Sequence, residues 1–257
     1  MFAEERHLQI LTLLERQGRV RVVDLARELQ VTEETVRRDL ERLDQDGRLQ
    51  RTHGGALPGS ARRELPFAQR QASQLAAKTA IAHAALALVA PGQVIALDGS
   101  TSAFAMASSL PDGLALTVVT TSLPVVGALA DREQVRVVCS GGTLDPTSRS
   151  FLGPIAAEAL ARINIHTVFL SGIGIDLERG VSESTDDLAA VKRRLIERAE
   201  RVVLLVDHTK FGVRGAITFA TLGDVDVVIT DRAVDPATDA ALAAHGARIV
   251  LADVPSG

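Results

Sequence analysis

Apolar residues change their spacing along this 257-residue chain, and the change divides it. Over residues 1–57 they recur at helical intervals. Leu8, Ile10, Leu11 and Leu14 mark one face of a first helix that Gly18 ends. Val22, Leu25, Ala26 and Leu29 form the inner face of a short second helix, and Gln30-Val31 makes a turn. Thr32 is then placed to cap a third helix that runs to about Asp46 and stops at Gly47. Thr35 stands where a capping box usually has Glu. Leu49–Thr52 and Ala56-Leu57 read as two short strands turning at Gly54-Gly55. Residues 58–75 have a weak apolar pattern with Pro58, Gly59, Ser60, Arg62, Arg63 and Pro66, and read as a linker.

From residue 76 to 257 the texture is different. Apolar β-type runs occur at Val94–Leu97, Leu116–Thr120, Val135–Cys139, Thr167–Leu170, Val202–Val206, Val225–Ile229 and Arg248–Leu251. Helical stretches lie between most of them, at Ala76–Val89, Ser122–Ala130, Ile155–Ala161, Asp186–Ala199 and Pro236–His245. Fully apolar strands alternating with helices imply an α/β domain with a mostly parallel, Rossmann-like sheet covered on both faces. The expected order is therefore a three-helix module with a hairpin at 1–57, a linker at 58–75 and an α/β domain at 76–257.

Charge alone points nowhere. Net charge is −4, and residues 1–57 carry ten Arg, no Lys and eleven acids. Cys139 is the only cysteine, and the six histidines show no zinc-ligand spacing, so neither a disulfide nor a metal site is expected. Met1–Arg6 is charged and does not read as a signal peptide, and no charge-free run of about twenty apolar residues suggests a membrane span. A cytoplasmic location is expected. Of 28 basic residues only Lys78, Lys192 and Lys210 are lysines. Each is either a chance survivor of an Arg-rich composition or a position that needs a compact ammonium.

In the third helix Val36, Leu40 and Leu43 face inward, which turns Glu34, Arg37, Arg38 and Glu41 outward. Adjacent arginines on a helix after a tight turn suit the major groove, where guanidinium groups grip guanine edges or phosphates. Arg51, His53 and Gly54 would form a wing beside it. A helical module that binds protein is the alternative from pattern alone. The runs Val23-Asp24-Leu25-Ala26, Val31-Thr32-Glu33-Glu34-Thr35-Val36-Arg37-Arg38-Asp39-Leu40 and Leu49-Gln50-Arg51-Thr52-His53-Gly54-Gly55-Ala56 resemble the DeoR family of bacterial regulators. The resemblance implies a winged helix-turn-helix that contacts duplex DNA through Thr32, Glu34, Thr35, Arg37, Arg38, Arg51, His53 and Gly54.

Loops of small polar residues follow four of the apolar runs: Asp98-Gly99-Ser100-Thr101-Ser102, Thr120-Thr121-Ser122, Ser140-Gly141-Gly142 and Ser171-Gly172-Ile173-Gly174. Singly each reads as an ordinary strand-to-helix turn. Together they sit at the carboxyl edge of a parallel sheet, where ligands bind, and hydroxyls at helix N-termini suit a phosphate. Asp207 and Lys210 follow a fifth strand to the same edge, whereas Lys192, among Arg193, Arg194 and Arg198, could equally belong to a solvated basic face. These segments also resemble the DeoR family's sensor domain, itself similar to sugar-phosphate isomerases. The resemblance implies an effector pocket of Lys78, Asp98, Gly99, Ser100, Thr101, Thr120, Ser122, Gly141, Gly142, Lys192, Asp207 and Lys210, and Gly172 is placed with them. Leu188 departs from the pattern where a Glu is expected, and Asp186 or Asp187 is the candidate substitute.

The rival reading is a sugar-phosphate isomerase or deaminase. That chemistry needs a carboxylate base at the substrate carbon. After the fourth apolar run this chain has Gly172-Ile173-Gly174-Ile175, with Asp176 the only acid nearby. The family resemblance implies instead a repressor of a sugar-metabolism operon. It would bind duplex DNA as a homo-oligomer and be released by a phosphorylated sugar, without catalysis or cofactor.

Overall fold

The computed structural model describes residues 3–17, 19–45, 49–52, 54–58 and 64–254. The chain divides into two compact units, residues 1–63 and 64–257.

The first unit contains α1 (Ala3–Gln17), β1 (Val20–Arg21), α2 (Val22–Glu28), α3 (Glu33–Gln45), β2 (Leu49–Thr52) and β3 (Gly55–Pro58), with strand order β1-β3-β2. Ile10, Leu14, Leu25, Val36, Leu40 and Leu43 close one small core. Leu8 does not join it. Its side chain is 61% exposed, because the buried stripe of α1 runs through Ile10 and Leu14 instead. Gln30, between α2 and α3, takes a left-handed φ of 55°. Thr32 does cap α3, its Oγ1 accepting from the Thr35 N–H at 3.2 Å. The expected reciprocal box is absent among the described residues, since the Thr35 hydroxyl pairs with the Thr32 hydroxyl at 2.9 Å. The hairpin turns one residue earlier than expected, with Thr52 already paired to Gly55. Glycine is needed at 55, where a Cβ would lie 1.9 Å from the Val20 carbonyl oxygen. Gly18, Asp46, Gly47, Gly59, Ser60, Arg62 and Arg63, which carried part of the helix-end and linker expectations, lie outside the described residues.

The second unit starts before residue 76. Residues 64–75 are structured, which corrects the C-terminal part of the expected linker. They include α4 (Phe67–Ala72), and the buried Phe67 packs edge-on against Phe104 and donates its N–H to the Thr147 carbonyl. There follow α5 (Leu75–Leu86), β4 (Val94–Leu97), α6 (Thr101–Ser108), β5 (Leu116–Thr120), α7 (Leu123–Leu129) and β6 (Val135–Cys139). Next come a hairpin of β7 (Thr143–Asp145) and β8 (Ser150–Leu152), then α8 (Pro154–Leu160) and β9 (Ile165–Leu170). The remainder is β10 (Gly174–Asp176), β11 (Gly180–Glu183), α9 (Asp186–Glu197), β12 (Ala199–Leu205), β13 (Ile217–Ala220), β14 (Val227–Thr230), α10 (Pro236–Ala244) and β15 (Arg248–Leu251).

Seven strands form one parallel sheet in the order β15-β14-β12-β9-β4-β5-β6, and β10-β11-β13 make a small antiparallel sheet. Successive residues of one strand feed opposite cores. Val168 and Leu170 point to one side of the sheet and Phe169 to the other, so both faces are covered. Chain order runs outward from β4 through β5 to β6, then returns to β9 on the other side of β4 and runs outward again. The reversal lies between β4 and β9, where parallel sheets open a crevice at their carboxyl ends.

Candidate functional site

Two surfaces gather the polar residues singled out above, one in each unit. On α3, Arg37 and Arg38 are exposed and, among the described residues, pair only with neighbours on the same helix. Arg37 pairs with Glu33 at 2.7 Å, and Arg38 with Glu34 at 3.4 Å. Exposed pairs of this kind contribute little, ~0.3–0.5 kcal/mol, so both guanidinium groups can swing to another anion. Thr32 and Glu34 are exposed at the start of the helix and Thr35 is half-buried. Arg51 on β2 is exposed, 3.8 Å from Glu41, and its N–H donates to Asp44. Gly54 is exposed, and its carbonyl accepts from the Val22 N–H, which ties the wing to α2. His53 lies outside the described residues.

Asp39, inside the Arg-Arg-Asp-Leu run, points the other way. It is buried and receives Arg6 at 2.5 and 2.9 Å and His7 at 3.0 Å. Burial alone would raise its pKa, but Arg6 and His7 outweigh it and hold the carboxyl below its usual range. Asp39 therefore locks α3 against α1 and sets the angle at which the two arginines are presented. The repeating pattern of α3 hid this role, because an acid at an inward position carries no periodic signal.

In the second unit the five polar loops do meet at one edge of the sheet. Asp98, after β4, accepts from the Ser100 and Ser171 N–H groups at 2.9 and 3.0 Å, which joins the two central loops. Ser100 and Ser122 cap α6 and α7. The Thr120 hydroxyl donates to the Leu97 carbonyl at 2.6 Å and accepts from the Ser122 N–H. Thr101, in the first turn of α6, has no carbonyl four residues back to receive its N–H. Gly141 and Gly142 adopt positive φ of 65° and 109°, and at Gly142 a Cβ would strike the Leu152 carbonyl at 2.6 Å. Gly172 lies so close to Ser182 that a Cβ would sit 3.0 Å from its carbonyl oxygen. Asp207 accepts from the Thr209 N–H at 3.0 Å and anchors the short turn that carries Lys210.

Lys192 is not on a solvated face. It is 4% exposed, with its ammonium 3.0 Å from Asp98, 2.5 Å from Glu183 and 2.5 Å from the Ser171 carbonyl. An ammonium has three donors, and these contacts use all three. Burial opposes its charge, yet the two carboxylates raise its pKa overall. Lys192 and Asp98 thus brace the two central loops. Glu183 on β11 is the acid the sequence reading missed. Neither expected substitute fills that role, since Asp187 is exposed and Asp186 is exposed beside Arg193. Leu188 is buried.

Lys78 is buried on α5 and donates to the carbonyls of Arg70 and Ser73, holding the end of α4. Burial lowers its pKa to about 8, against the pull of Asp207 and with help from Lys210 and Arg70. The segment before it crosses the same edge. Glu64 meets Arg70 at 2.9 Å and accepts from the Ser184 hydroxyl at 3.2 Å. Burial, and then the nearby Glu183, raise the Glu64 pKa.

Asp176 serves a turn. It accepts from the backbone of Glu178 and Arg179 and meets Arg214 at 2.7 Å, contacts that hold its pKa low despite burial. No group of three potential metal-ligating side chains occurs among the described residues, and no helix there is long and apolar enough to cross a membrane.

Residues 6–60 match the DeoR-like helix-turn-helix domain, and residues 73–232 match the DeoR C terminal sensor domain. The chain is 39% identical over 243 residues to the HTH-type transcriptional regulator YulB of Bacillus subtilis, covering 94% of each. It is 33% identical over 252 residues to the HTH-type transcriptional regulator GlpR of Haloferax volcanii, covering 97% of this chain and 98% of that one. The glycerol-3-phosphate regulon repressor of Escherichia coli is 30% identical over 227 residues, 88% of this chain and 90% of its own. Among solved structures, ribose 5-phosphate isomerase A from Methanocaldococcus jannaschii overlaps 52% of this chain and 53% of its own at 17% identity, with a TM-score of 0.39.

Proposed function

Since the chain belongs to the DeoR family of helix-turn-helix regulators, we propose that it represses a carbohydrate-metabolism operon as a homo-oligomer and leaves its operator when a phosphorylated sugar binds the strand-end pocket. It is a DNA-binding transcriptional regulator, and the relatives it matches along nearly their full length carry the names of regulators rather than enzymes. The protein acts where the DNA is, in the cytoplasm.

In this reading α3 lies in the major groove. Arg38 contacts base edges, Arg37 grips phosphate, and Thr32, Glu34 and Thr35 sit at the groove end of the helix. Arg51, His53 and Gly54 form the wing. Two copies are needed because one winged helix offers too few contacts for tight, specific binding.

The observation that carries the effector reading is the convergence of the five loops at the β4–β9 reversal, with the first turn of α6 facing the same edge. A phosphate there gains from unsatisfied N–H groups and from the helix dipole. Ser100, Thr101, Gly99, Thr120, Ser122, Gly141, Gly142 and Gly172 line the site. Lys210 supplies opposite charge, Lys78 and Asp207 hold the surrounding turns, and Asp98 and Lys192 keep the central loops in register. The test is thermal unfolding of the full chain against a panel of sugar phosphates and the same sugars without phosphate. A phosphorylated member is expected to raise the melting temperature and to release the operator in a gel shift. Lys210→Ala is expected to lose that response and keep operator binding. A response only to unphosphorylated sugars overturns the ligand class.

A further inference from the structure

Ser150 on β8 is wholly buried, and its hydroxyl has no hydrogen-bond partner among the described residues. Arg70 Nη2 and Thr230 Oγ1 share that description. Arg70 Nη2 nevertheless lies 2.9 Å from Glu64 in a charge pair. A buried hydroxyl left unmatched is unfavourable, and native folds keep few of them. The position of Ser150 gives it a use.

A Cβ built on Gly99 would lie 2.0 Å from Ser150 Oγ and 3.2 Å from Ser150 Cβ, with Thr121 Oγ1 the next neighbour at 3.9 Å. The hydroxyl therefore points into the loop between β4 and α6, and glycine at 99 leaves it that room. Backbone contacts wedge β8 there. Ser150 bridges Ser122, the Phe151 N–H donates to the Thr121 carbonyl, and the Leu123 N–H donates to the Arg149 carbonyl. Ser150 thus enters between two loops that each open a helix behind a serine cap. On the α6 side, Thr101 and Ser102 occupy the first turn, where N–H groups have no intrahelical acceptor.

We propose that Ser150 is a direct ligand of the effector's phosphoryl group, its hydroxyl donating to one oxygen while the first-turn N–H groups of α6 hold another. The inference rests on the reading that this edge takes a phosphorylated sugar, and it adds a contact from outside the parallel sheet. The donors come from two separate elements, the first turn of α6 and β8. A tetrahedral phosphoryl group has oxygens for both, whereas a planar carboxylate presents its two oxygens in one plane. Ser150 thereby favours a phosphorylated sugar over a sugar acid.

The experiment uses the full chain with Ser150→Ala and Thr230→Val. Wild type is first screened by thermal unfolding against inorganic phosphate, a panel of phosphorylated sugars and matching sugar acids. The strongest phosphorylated probe is then titrated calorimetrically into all three proteins. Ser150→Ala removes an unmatched hydroxyl and keeps the Cβ, so without ligand it is expected to melt at the wild-type temperature or above. Its affinity for the phosphorylated probe is expected to fall tenfold or more, as for loss of a hydrogen bond to a charged group. Thr230→Val, which removes an equally orphaned hydroxyl at the end of β14, is expected to bind as wild type does. Undiminished affinity in Ser150→Ala overturns the proposal. Weaker binding accompanied by a lower melting temperature without ligand also overturns it, because that pair of changes reports a structural role. Wild type that responds to no phosphorylated sugar fails at the first step, and both the effector reading and this contact then fall.

Discussion

Arg38 on α3 has a side chain 77% exposed and reaches Glu34 at 3.4 Å, whereas Lys192 on α9 is buried between Asp98 and Glu183 at 3.0 and 2.5 Å. Both are cations beside carboxylates, but one is loosely held and the other pinned. The contrast extends across the two units. The first keeps Arg37, Arg38 and Arg51 exposed, with exposed acids as resting partners, and buries Asp39 only to aim them. The second buries Lys78, Asp98, Glu183, Lys192 and Asp207 around the loops it must hold still. A surface that exchanges partners along a polyanion needs cations that cost little to detach. A pocket that distinguishes one small molecule needs charges that do not move.

The contrast breaks most visibly at Lys192. Lys192→Met leaves two carboxylates facing each other in the interior, and the expected loss is about 3–5 kcal/mol of unfolding free energy, read by urea denaturation. Arg38→Ala is expected to leave that curve unchanged and to weaken operator binding by about 1–3 kcal/mol, measured by gel shift at fixed salt. Arg37→Ala should weaken binding to all sequences alike. Full affinity in the Arg37/Arg38 double mutant, with the fold intact by circular dichroism, would remove α3 from the interface.

Lys78 sharpens the comparison through pH. Its folded pKa of about 8 lies below the ordinary 10.5, so the unfolded chain holds the proton more tightly. Between those two values unfolding takes up a proton, and stability rises with pH. From pH 8 to 9.5 the gain is on the order of 1–2 kcal/mol. It is expected to be absent from Lys78→Met when the two proteins are melted side by side.

How much of this was legible in the sequence depends on how each part is built. Val94–Leu97, Leu116–Thr120, Val135–Cys139 and Arg248–Leu251 are strands with the boundaries read from their apolar runs. The central strands β4 and β5 are buried on both faces and leave an uninterrupted signal, and the half-buried edge strands β6 and β15 keep theirs through their valines and isoleucine. β7, β8, β10, β11 and β13 were missed because three or four mixed residues carry no period. α4 was missed for a similar reason, since Phe67 is the only large apolar residue in its six. The site follows the same division. Loops after long strands announced themselves through their small polar residues, so Asp98, Ser100, Thr120 and Asp207 could be placed at the carboxyl edge of the sheet. Glu183 and Ser150 come from the short hairpin strands and could not be. Lys192 was noticed with both readings open, because the arginines beside it on α9 conceal a buried lysine at an inward position.

The strand order also sets a schedule. The core of the first unit is complete within the first 58 residues, and its sheet closes when Gly55 and Ala56 pair back to Arg21 and Val20. β4 must wait, because its neighbour β9 arrives later, and Val94 donates its N–H to His166, 72 positions downstream. Asp98 gains Ser171 later still, and Glu183 and Lys192 come after that. At ribosomal rates of about 5–20 residues per second, the module that reads DNA can fold on the order of ten seconds before the last brace of the sensing edge has been synthesised. Each nascent chain therefore passes through a period in which it owns a complete helix-turn-helix unit and only part of its sensor domain.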